Sequence, residues 1–165
     1  MNKILKNIKV LAMDVDGVLT DGRIVYDGMG RELKFFDVQD GCGINRIRKA
    51  GLKTAVISAR SCRAVRARTD DLKIDAVYLD AYPKVGAYED MLKKFGVTDA
   101  QVCFIGDDLP DIAILKRVGL AVAVANASAD VKRQAHFVTK KKGGRGAVRE
   151  VAERVLKAQG KWDPQ

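Results

Sequence analysis

Short apolar runs constrain the fold of this 165-residue chain more than any other feature of its sequence. Each run is close to strand length, is partly β-branched or aromatic, and has apolar side chains on both faces. The runs cover residues 10–13, 54–57, 76–79, 102–105 and 120–124. Such runs are typical of strands buried on both sides, as in a parallel sheet covered by helices.

Amphipathic helical patterns lie between and after these runs. One pattern has apolar side chains at spacings of three and four, at Val85, Tyr88, Leu92 and Phe95. Gly96 supplies its stop signal, and a second pattern covers residues 148–156. Strands alternating with helices predict a three-layer, doubly wound α/β fold with a mostly parallel sheet. The length predicts a single domain over residues 1–165.

One segment interrupts the alternation of strands and helices. Residues 22–36 contain two alternating stretches around Asp27-Gly28-Met29-Gly30, which is a β-hairpin signature. We expect its apolar side chains to share one face, namely those of Ile24, Tyr26, Leu33 and Phe35. Because an isolated two-stranded hairpin is only marginally stable in water, this insertion should pack against another surface.

Composition and charge exclude several classes of partner. Lys and Arg number 30 against 21 Asp and Glu, but they are scattered and do not interleave with the aromatic residues, so we expect no nucleic-acid partner. No apolar segment approaches the ~20 residues needed to span a bilayer, so we expect no membrane partner.

Cys42, Cys62 and Cys103 lack metal or redox spacings, and no signal peptide precedes Asp14, so we expect a cytoplasmic protein.

Polar residues follow the strand runs where the runs end. These residues are Asp14-Val15-Asp16-Gly17, then Ser58-Ala59-Arg60, then Pro83-Lys84, and finally Gly106-Asp107-Asp108 with Asp111. The carboxyl ends of parallel strands meet at one edge of a sheet, where ligands bind. We therefore expect these side chains to converge on one site.

The order of these motifs resembles the haloacid dehalogenase superfamily, whose phosphatases carry an Asp-x-Asp-Gly loop, a hydroxyl residue, a lysine and a paired-acid loop. The resemblance implies that Asp14 is a nucleophile that forms an aspartyl-phosphate, and that Asp16 is the general acid and base. It also implies a Mg²⁺ ion bound by the carboxylates of Asp14 and Asp107 and by the backbone carbonyl of Asp16. Asp108 and Asp111 are interpreted as supporting acids, with a helix N-cap as the alternative for Asp111.

The same resemblance assigns the phosphate-binding residues. Ser58, Ala59 and Arg60 would bind the substrate, and Lys84 would contact both phosphate and nucleophile. Phosphate esters are anionic, so attack by a carboxylate requires cations that offset the repulsion between like charges.

A narrower resemblance is to the cap-less phosphatases of 3-deoxy-D-manno-octulosonate 8-phosphate. It rests on the hairpin, on Asp40-Gly41-Cys42-Gly43-Ile44 and on the tail at 143–150. It implies a sugar-acid phosphate substrate in lipopolysaccharide precursor synthesis, no cap domain, and a homotetramer whose subunits close each other's sites. Arg60 would then suit the substrate carboxylate. The glycines of 143–146, with Arg145 and Arg149, would reach a neighbouring site.

Two departures from that family and three alternatives accompany this interpretation. Ser58-Ala59-Arg60 replaces the usual Thr-Gly-Arg, and Asp80-Ala81-Tyr82-Pro83-Lys84 replaces Gly-x-x-Asp-Lys, which bears on how Lys84 is held. The alternatives are a phosphatase of a nonulosonate 9-phosphate or other sugar phosphate, a receiver-like signalling domain phosphorylated on Asp80, and a catalytically idle relative.

Overall fold

A computed structural model describes residues 1–163 of the chain, and residues 164 and 165 lie outside the described part. The strands are β1 (Val10–Met13), β2 (Val25–Tyr26), β3 (Glu32–Leu33), β4 (Lys53–Ile57), β5 (Ala76–Tyr78), β6 (Val102–Gly106), β7 (Leu120–Ala123) and β8 (Phe137–Val138). Six of them form one sheet in the order β5-β4-β1-β6-β7-β8, and every neighbouring pair in it is parallel. The predicted fold class is confirmed.

Helices cover the sheet. They are α1 (Asn2–Asn7), α2 (Val38–Lys49), α3 (Arg63–Asp71), α4 (Lys84–Phe95), α5 (Ile112–Leu115), α6 (Ala129–Gln134) and α7 (Ala147–Ala158). α2 and α1 pack against α7, whereas α5 contacts both α4 and α6. None of the helices within residues 1–163 combines the length and the apolar character needed to cross a membrane.

The predicted strand runs form the core because their side chains are apolar on both faces. All four residues of β1 and all four of β7 are buried, and so are four of the five residues of β4. The predicted helix at 85–95 is also confirmed: α4 begins after Pro83 and ends at Gly96, which adopts the left-handed conformation with φ of 62°.

The direction of winding reverses beside β1. From β1 the chain proceeds outward through β4 to β5, then crosses to β6 on the other side of β1 and continues through β7 to β8. The loops that follow β1 and β6 are therefore neighbours at the carboxyl edge. In open α/β sheets this reversal point is where ligands bind.

The hairpin is present, but its faces differ from the prediction. β2 and β3 pair antiparallel, with Val25 opposite Leu33 and Tyr26 opposite Glu32. Directly opposed residues share a face. Leu33 therefore lies on the face opposite to Tyr26, and the expectation of one shared apolar face was wrong. Both faces of the hairpin carry exposed apolar side chains.

Candidate active site

The loop after β1 places Asp14 at the base of the site. The Asp14 N–H donates to the carbonyl of Ile105 in β6 at 3.0 Å, which holds the start of the loop against the neighbouring strand. The hydroxyl of Thr20 accepts hydrogen bonds from the N–H groups of Gly17 and Gly22, at 3.3 and 3.2 Å. This folds the acidic segment back on itself at the carboxyl edge of the sheet.

Gly17 lets the loops after β1 and β6 meet. Its φ is +89°, and a Cβ there would lie 1.9 Å from Oδ2 of Asp107. The carboxylate of Asp107 therefore rests directly against the backbone at Gly17, beside Asp16. Only glycine permits both this conformation and this approach.

Lys84 joins two acids inside the site. Its ammonium lies 2.8 Å from Oδ1 of Asp14 and 2.7 Å from Oδ1 of Asp111. The other oxygen of Asp111 accepts from the backbone N–H of Asp107 at 2.9 Å. Lys84 and Asp111 are both buried. The altered segment before Lys84 therefore does not remove its pairing with the proposed nucleophile, and Asp111 holds the lysine rather than capping α5 with its side chain.

Three carboxylates can hold a cation here. One oxygen from each of Asp14, Asp107 and Asp111 lies within 4.8 Å of the others. Burial, followed by the charge of Asp111, raises the pKa of Asp14 against the opposing effect of Lys84. Burial and the charges of Asp14 and Asp111 raise the pKa of Asp107 to about 8. A set of crowded, partly desolvated oxygen donors fits a hard divalent cation, which would offset both the repulsion and the desolvation.

Asp16 contacts residues that we did not predict. The ammonium of Lys34, in the hairpin, contacts Oδ1 of Asp16 and lies 2.8 Å from Oε1 of Glu32. Burial would lower the pKa of Lys34, but the hydrogen bonds and charges of Asp16 and Glu32 outweigh it and raise that pKa, so Lys34 is a cation. A sequence signal was available, because the alternation of Glu32, Leu33, Lys34 and Phe35 predicts that the two charged residues lie on one face of an extended segment.

These groups line a cleft of about 270 Å³ at the carboxyl edge of the sheet. Its lining residues are Asp14, Asp16, Gly22, Ser58, Ala59, Arg60, Lys84, Asp107, Asp108, Pro110 and Asp111. The structure thus brings together the residues that the sequence assigned to catalysis, phosphate binding and metal binding. Ser58 is buried, and its hydroxyl accepts from the N–H of Arg60 at 3.2 Å.

Cavity size alone does not locate the site. A larger, shallow depression of about 560 Å³ lies beside α1, at the opposite edge of the sheet, and includes Ala100 and Gly119 just before β6 and β7. Lysines and an asparagine supply its polar groups, and no acid lines it. The cleft at the carboxyl edge is smaller but contains the acids and the buried lysine.

The glycines of the tail make close contacts within their own chain, and the expected reach of the tail into a neighbouring site stays a prediction. The N–H of Gly144 donates to the carbonyl of Val18 at 2.9 Å, and a Cβ on Gly143 would lie 1.7 Å from the carbonyl oxygen of Gly17. The close approach is therefore made to the same chain's loop after β1. Arg149 pairs with Glu153 at 2.8 Å, away from the cleft.

Comparisons with known proteins agree with this geometry. Residues 81–151 match the family model described as haloacid dehalogenase-like hydrolase. The chain is 42% identical over 158 residues to the 3-deoxy-D-manno-octulosonate 8-phosphate phosphatase of Escherichia coli K12, covering 96% of this chain and 84% of the relative.

Solved structures show the same likeness. The phosphatase of this name from Moraxella catarrhalis, in complex with a magnesium ion, a phosphate ion and KDO, has a TM-score of 0.94 and 39% identity over 96% of this chain and 91% of that one. The cobalt-bound form from Haemophilus influenzae has a TM-score of 0.92 and 41% identity, over 95% and 92% of the two chains. These similarities support the interpretation as an octulosonate 8-phosphate phosphatase. They do not support the nonulosonate phosphatase, the receiver-like domain or the catalytically idle relative.

Proposed function

The chain belongs to the 3-deoxy-D-manno-octulosonate 8-phosphate phosphatases among the haloacid dehalogenase-like hydrolases, and on that premise we propose that it hydrolyses this sugar phosphate. The products would be the free sugar acid and inorganic phosphate. The observation that carries the proposal is Lys84, buried between Asp14 and Asp111 at the base of the acidic cleft. A lysine held there can offset the negative charge of a phosphoryl group. The carboxylate of Asp14 beside it stays in position to attack phosphorus.

In the first step, Oδ of Asp14 attacks phosphorus and an aspartyl O–P bond forms. The bond from phosphorus to the sugar oxygen breaks, and its electron pair stays on that oxygen. Asp16 gives its proton to this oxygen, so the sugar acid leaves as a neutral alcohol at that position. Ser58 donates its hydroxyl hydrogen to a phosphate oxygen, and Lys84 offsets the negative charge.

In the second step, a water molecule attacks phosphorus. Asp16, now a carboxylate, accepts a proton from the water as the new O–P bond forms. The bond between phosphorus and Asp14 breaks, its electrons return to the carboxylate, and phosphate leaves. The proton taken from the water thereby replaces the one that Asp16 gave to the leaving group.

The site also fits Mg²⁺, with Asp14, Asp107 and the backbone carbonyl of Asp16 as the proposed ligands. When bound, the ion would supply positive charge that offsets repulsion between the carboxylates and the phosphate. Both side-chain oxygens of Asp111 already accept hydrogen bonds, so we assign it to holding Lys84 and the loop after β6.

The substrate carboxylate would be recognised by Arg60. This residue lines the cleft, and its side chain is 45% exposed, so the guanidinium can reach a ligand that enters from solvent. A forked guanidinium matches a carboxylate in geometry and in charge. Such recognition would favour a sugar acid over a simple hexose phosphate, and we also propose a role in lipopolysaccharide precursor synthesis.

We further propose a cytoplasmic homotetramer. The three free cysteines, Cys42, Cys62 and Cys103, are compatible with a reducing compartment. The hairpin exposes Leu33 and Phe35, which subunit contacts would cover. Neighbouring subunits would then narrow the cleft, in the place of a cap domain.

The test is turnover of purified protein, measured as phosphate released from 3-deoxy-D-manno-octulosonate 8-phosphate and from a hexose phosphate. We expect activity with Mg²⁺, loss with excess chelator, and a much larger kcat/KM for the sugar acid. Asp14→Asn should abolish turnover because it removes the nucleophile. Near-normal turnover by a folded Asp14→Asn protein would reject the mechanism, whereas equal kcat/KM for the two substrates would reject only the substrate.

A further inference from the structure

Four side chains of alternating charge form a closed ring at the mouth of the cleft. Lys34 contacts Oδ1 of Asp16 and Oε1 of Glu32. The guanidinium of Arg60 donates to the two oxygens of Glu32 at 3.2 and 3.3 Å. Nε of Arg60 lies 3.8 Å from Oδ2 of Asp16, which closes the ring. Asp16 and Arg60 come from loops at the sheet edge, and the other two residues come from the hairpin.

The two cations of the ring differ in burial. The side chain of Lys34 is only 2% exposed, against 45% for Arg60. Moving an ion pair out of water costs free energy of hydration, and this cost cancels much of the attraction between the two charges. A buried ion pair therefore contributes little to stability. Removing one partner is nevertheless costly, because the other charge stays buried. Stability alone therefore gives little reason for a buried lysine just after the two-residue strand β3.

From this ring we infer that Lys34 is a positioning residue that holds the carboxyl group of Asp16 ready for proton transfer. The inference rests on the proposed function, in which Asp16 is the general acid and base. Lys34 contacts Oδ1 of Asp16 and thereby fixes the orientation of the carboxyl group. The other oxygen, Oδ2, would then be the one that gives up and takes back the proton. Arg60, exposed and 3.8 Å away, can turn toward substrate without releasing Asp16.

This role has a specific chemical consequence. As the bond from phosphorus to the leaving oxygen breaks, the electron pair stays on that oxygen and the proton of Asp16 passes to it. A basic leaving group depends on this proton, whereas a weakly basic one such as p-nitrophenolate leaves without it. Loss of Lys34 should therefore harm substrates in proportion to the basicity of their leaving groups.

The experiment uses the full chain with Mg²⁺ and a series of aryl phosphates that carry no carboxylate, from p-nitrophenyl phosphate to phenyl phosphate. We expect Lys34→Met to lower kcat/KM by roughly 10- to 100-fold for phenyl phosphate and by less than about 3-fold for p-nitrophenyl phosphate. The matched control is Arg31→Met, which removes a hairpin cation that pairs with Asp27 at an exposed position. It should leave the whole series unchanged.

Two further variants separate positioning from a structural role. Lys34→Arg keeps the charge and should recover much of the kcat/KM that Lys34→Met loses on phenyl phosphate. In the Asp16→Asn background, Lys34→Met should cause no further change in that dependence, because the two residues act through one proton.

Each outcome decides the inference. Equal loss across the aryl series, or loss only on the sugar-acid phosphate, would overturn it and assign Lys34 to folding or to substrate binding. An additive effect with Asp16→Asn would overturn it too. These failures differ from failure of the proposed function, which would appear as activity that survives Asp14→Asn.

Discussion

At the scale of single residues, Asp111 illustrates how burial assigns a role. One of its oxygens accepts from Lys84 at 2.7 Å, and the other accepts from the N–H of Asp107 at 2.9 Å. With both oxygens engaged and the side chain buried, Asp111 links the lysine to the loop after β6. A charged group can be buried here because its hydrogen bonds and its ion pair replace the lost hydration.

Gly17 supports a residue-scale prediction. A Cβ at this position would lie 1.9 Å from Oδ2 of Asp107, and the backbone φ is +89°. Gly17→Ala should therefore displace Asp107, and misplacement of a catalytic group by about 1 Å can cost ~100-fold in rate. We expect kcat/KM to fall by about that factor, and the Mg²⁺ concentration for half-maximal activity to rise.

The matched control for this variant is Gly28→Ala in the hairpin turn. A Cβ there meets nothing within 4 Å, and the backbone is outside the left-handed region. Wild-type activity and metal dependence in Gly17→Ala would contradict the proposed contact between the loops after β1 and β6.

At the scale of elements, α2 caps α7. The carboxylate of Asp40, in the first turn of α2, accepts from the N–H groups of Gly146 and Arg149 at 3.2 and 2.9 Å. Gly146 occupies the N-cap position of α7 and has no side chain that could accept these hydrogen bonds. Gly43 lets the two helices approach, since a Cβ there would lie 2.9 Å from Cα of Arg149. The tail and the Asp-Gly-x-Gly segment are therefore parts of one packing unit.

Removing this cap should destabilise the protein without changing its chemistry. Asp40→Ala leaves two N–H groups of α7 without their acceptor in a buried place, which should lower the free energy of unfolding by about 1–3 kcal/mol. Asp40→Asn keeps an acceptor oxygen and should cost less. Chemical denaturation at neutral pH measures both, and equal stability of Asp40→Ala and wild type would contradict the capping role.

The same carboxyl group should make stability depend on pH. Burial raises its pKa to about 6 in the folded protein, against an ordinary value of 3.8. Between those values the folded state keeps a proton that the unfolded state has lost, so stability falls as pH rises from about 4 to about 6. Because Asp40→Asn lacks this proton, the stability of wild type relative to the variant should fall over that window and stay constant above it. A difference that is flat from pH 4 to pH 7 would contradict the shifted pKa.

At the scale of the whole molecule, the prediction concerns assembly. The side chain of Phe35, in the hairpin segment just after β3, is exposed. If this part of the hairpin is a subunit interface, Phe35→Asp should convert a tetramer into smaller species, because a charge would be buried there. Light scattering measures the mass. Val138→Asp, on the edge strand β8, is the control and should keep the mass of the wild type. A wild-type monomer, or dissociation caused by the control instead, would contradict the assignment.

Much of the fold and of the site could be predicted from the sequence. Runs that are apolar on both faces have to be buried on both sides, and alternation with helices then orders them in a parallel sheet. Once the sheet is parallel, polar residues at the strand ends must converge at one edge. For that reason Asp14, Ser58, Lys84 and Asp107 were found without any knowledge of distances, and all four line the cleft.

Other features depended on the tertiary structure alone. Periodicity tells which face a side chain occupies, but not which distant residue lies opposite it. The contact between Lys34 and Asp16, the bridge from Lys84 to Asp111 and the cap of Asp40 on α7 all join separate elements. Hairpin register likewise decided which apolar side chains share a face. Burial and charge compensation arise only when the elements pack, so local sequence determined the elements, and packing determined these pairings.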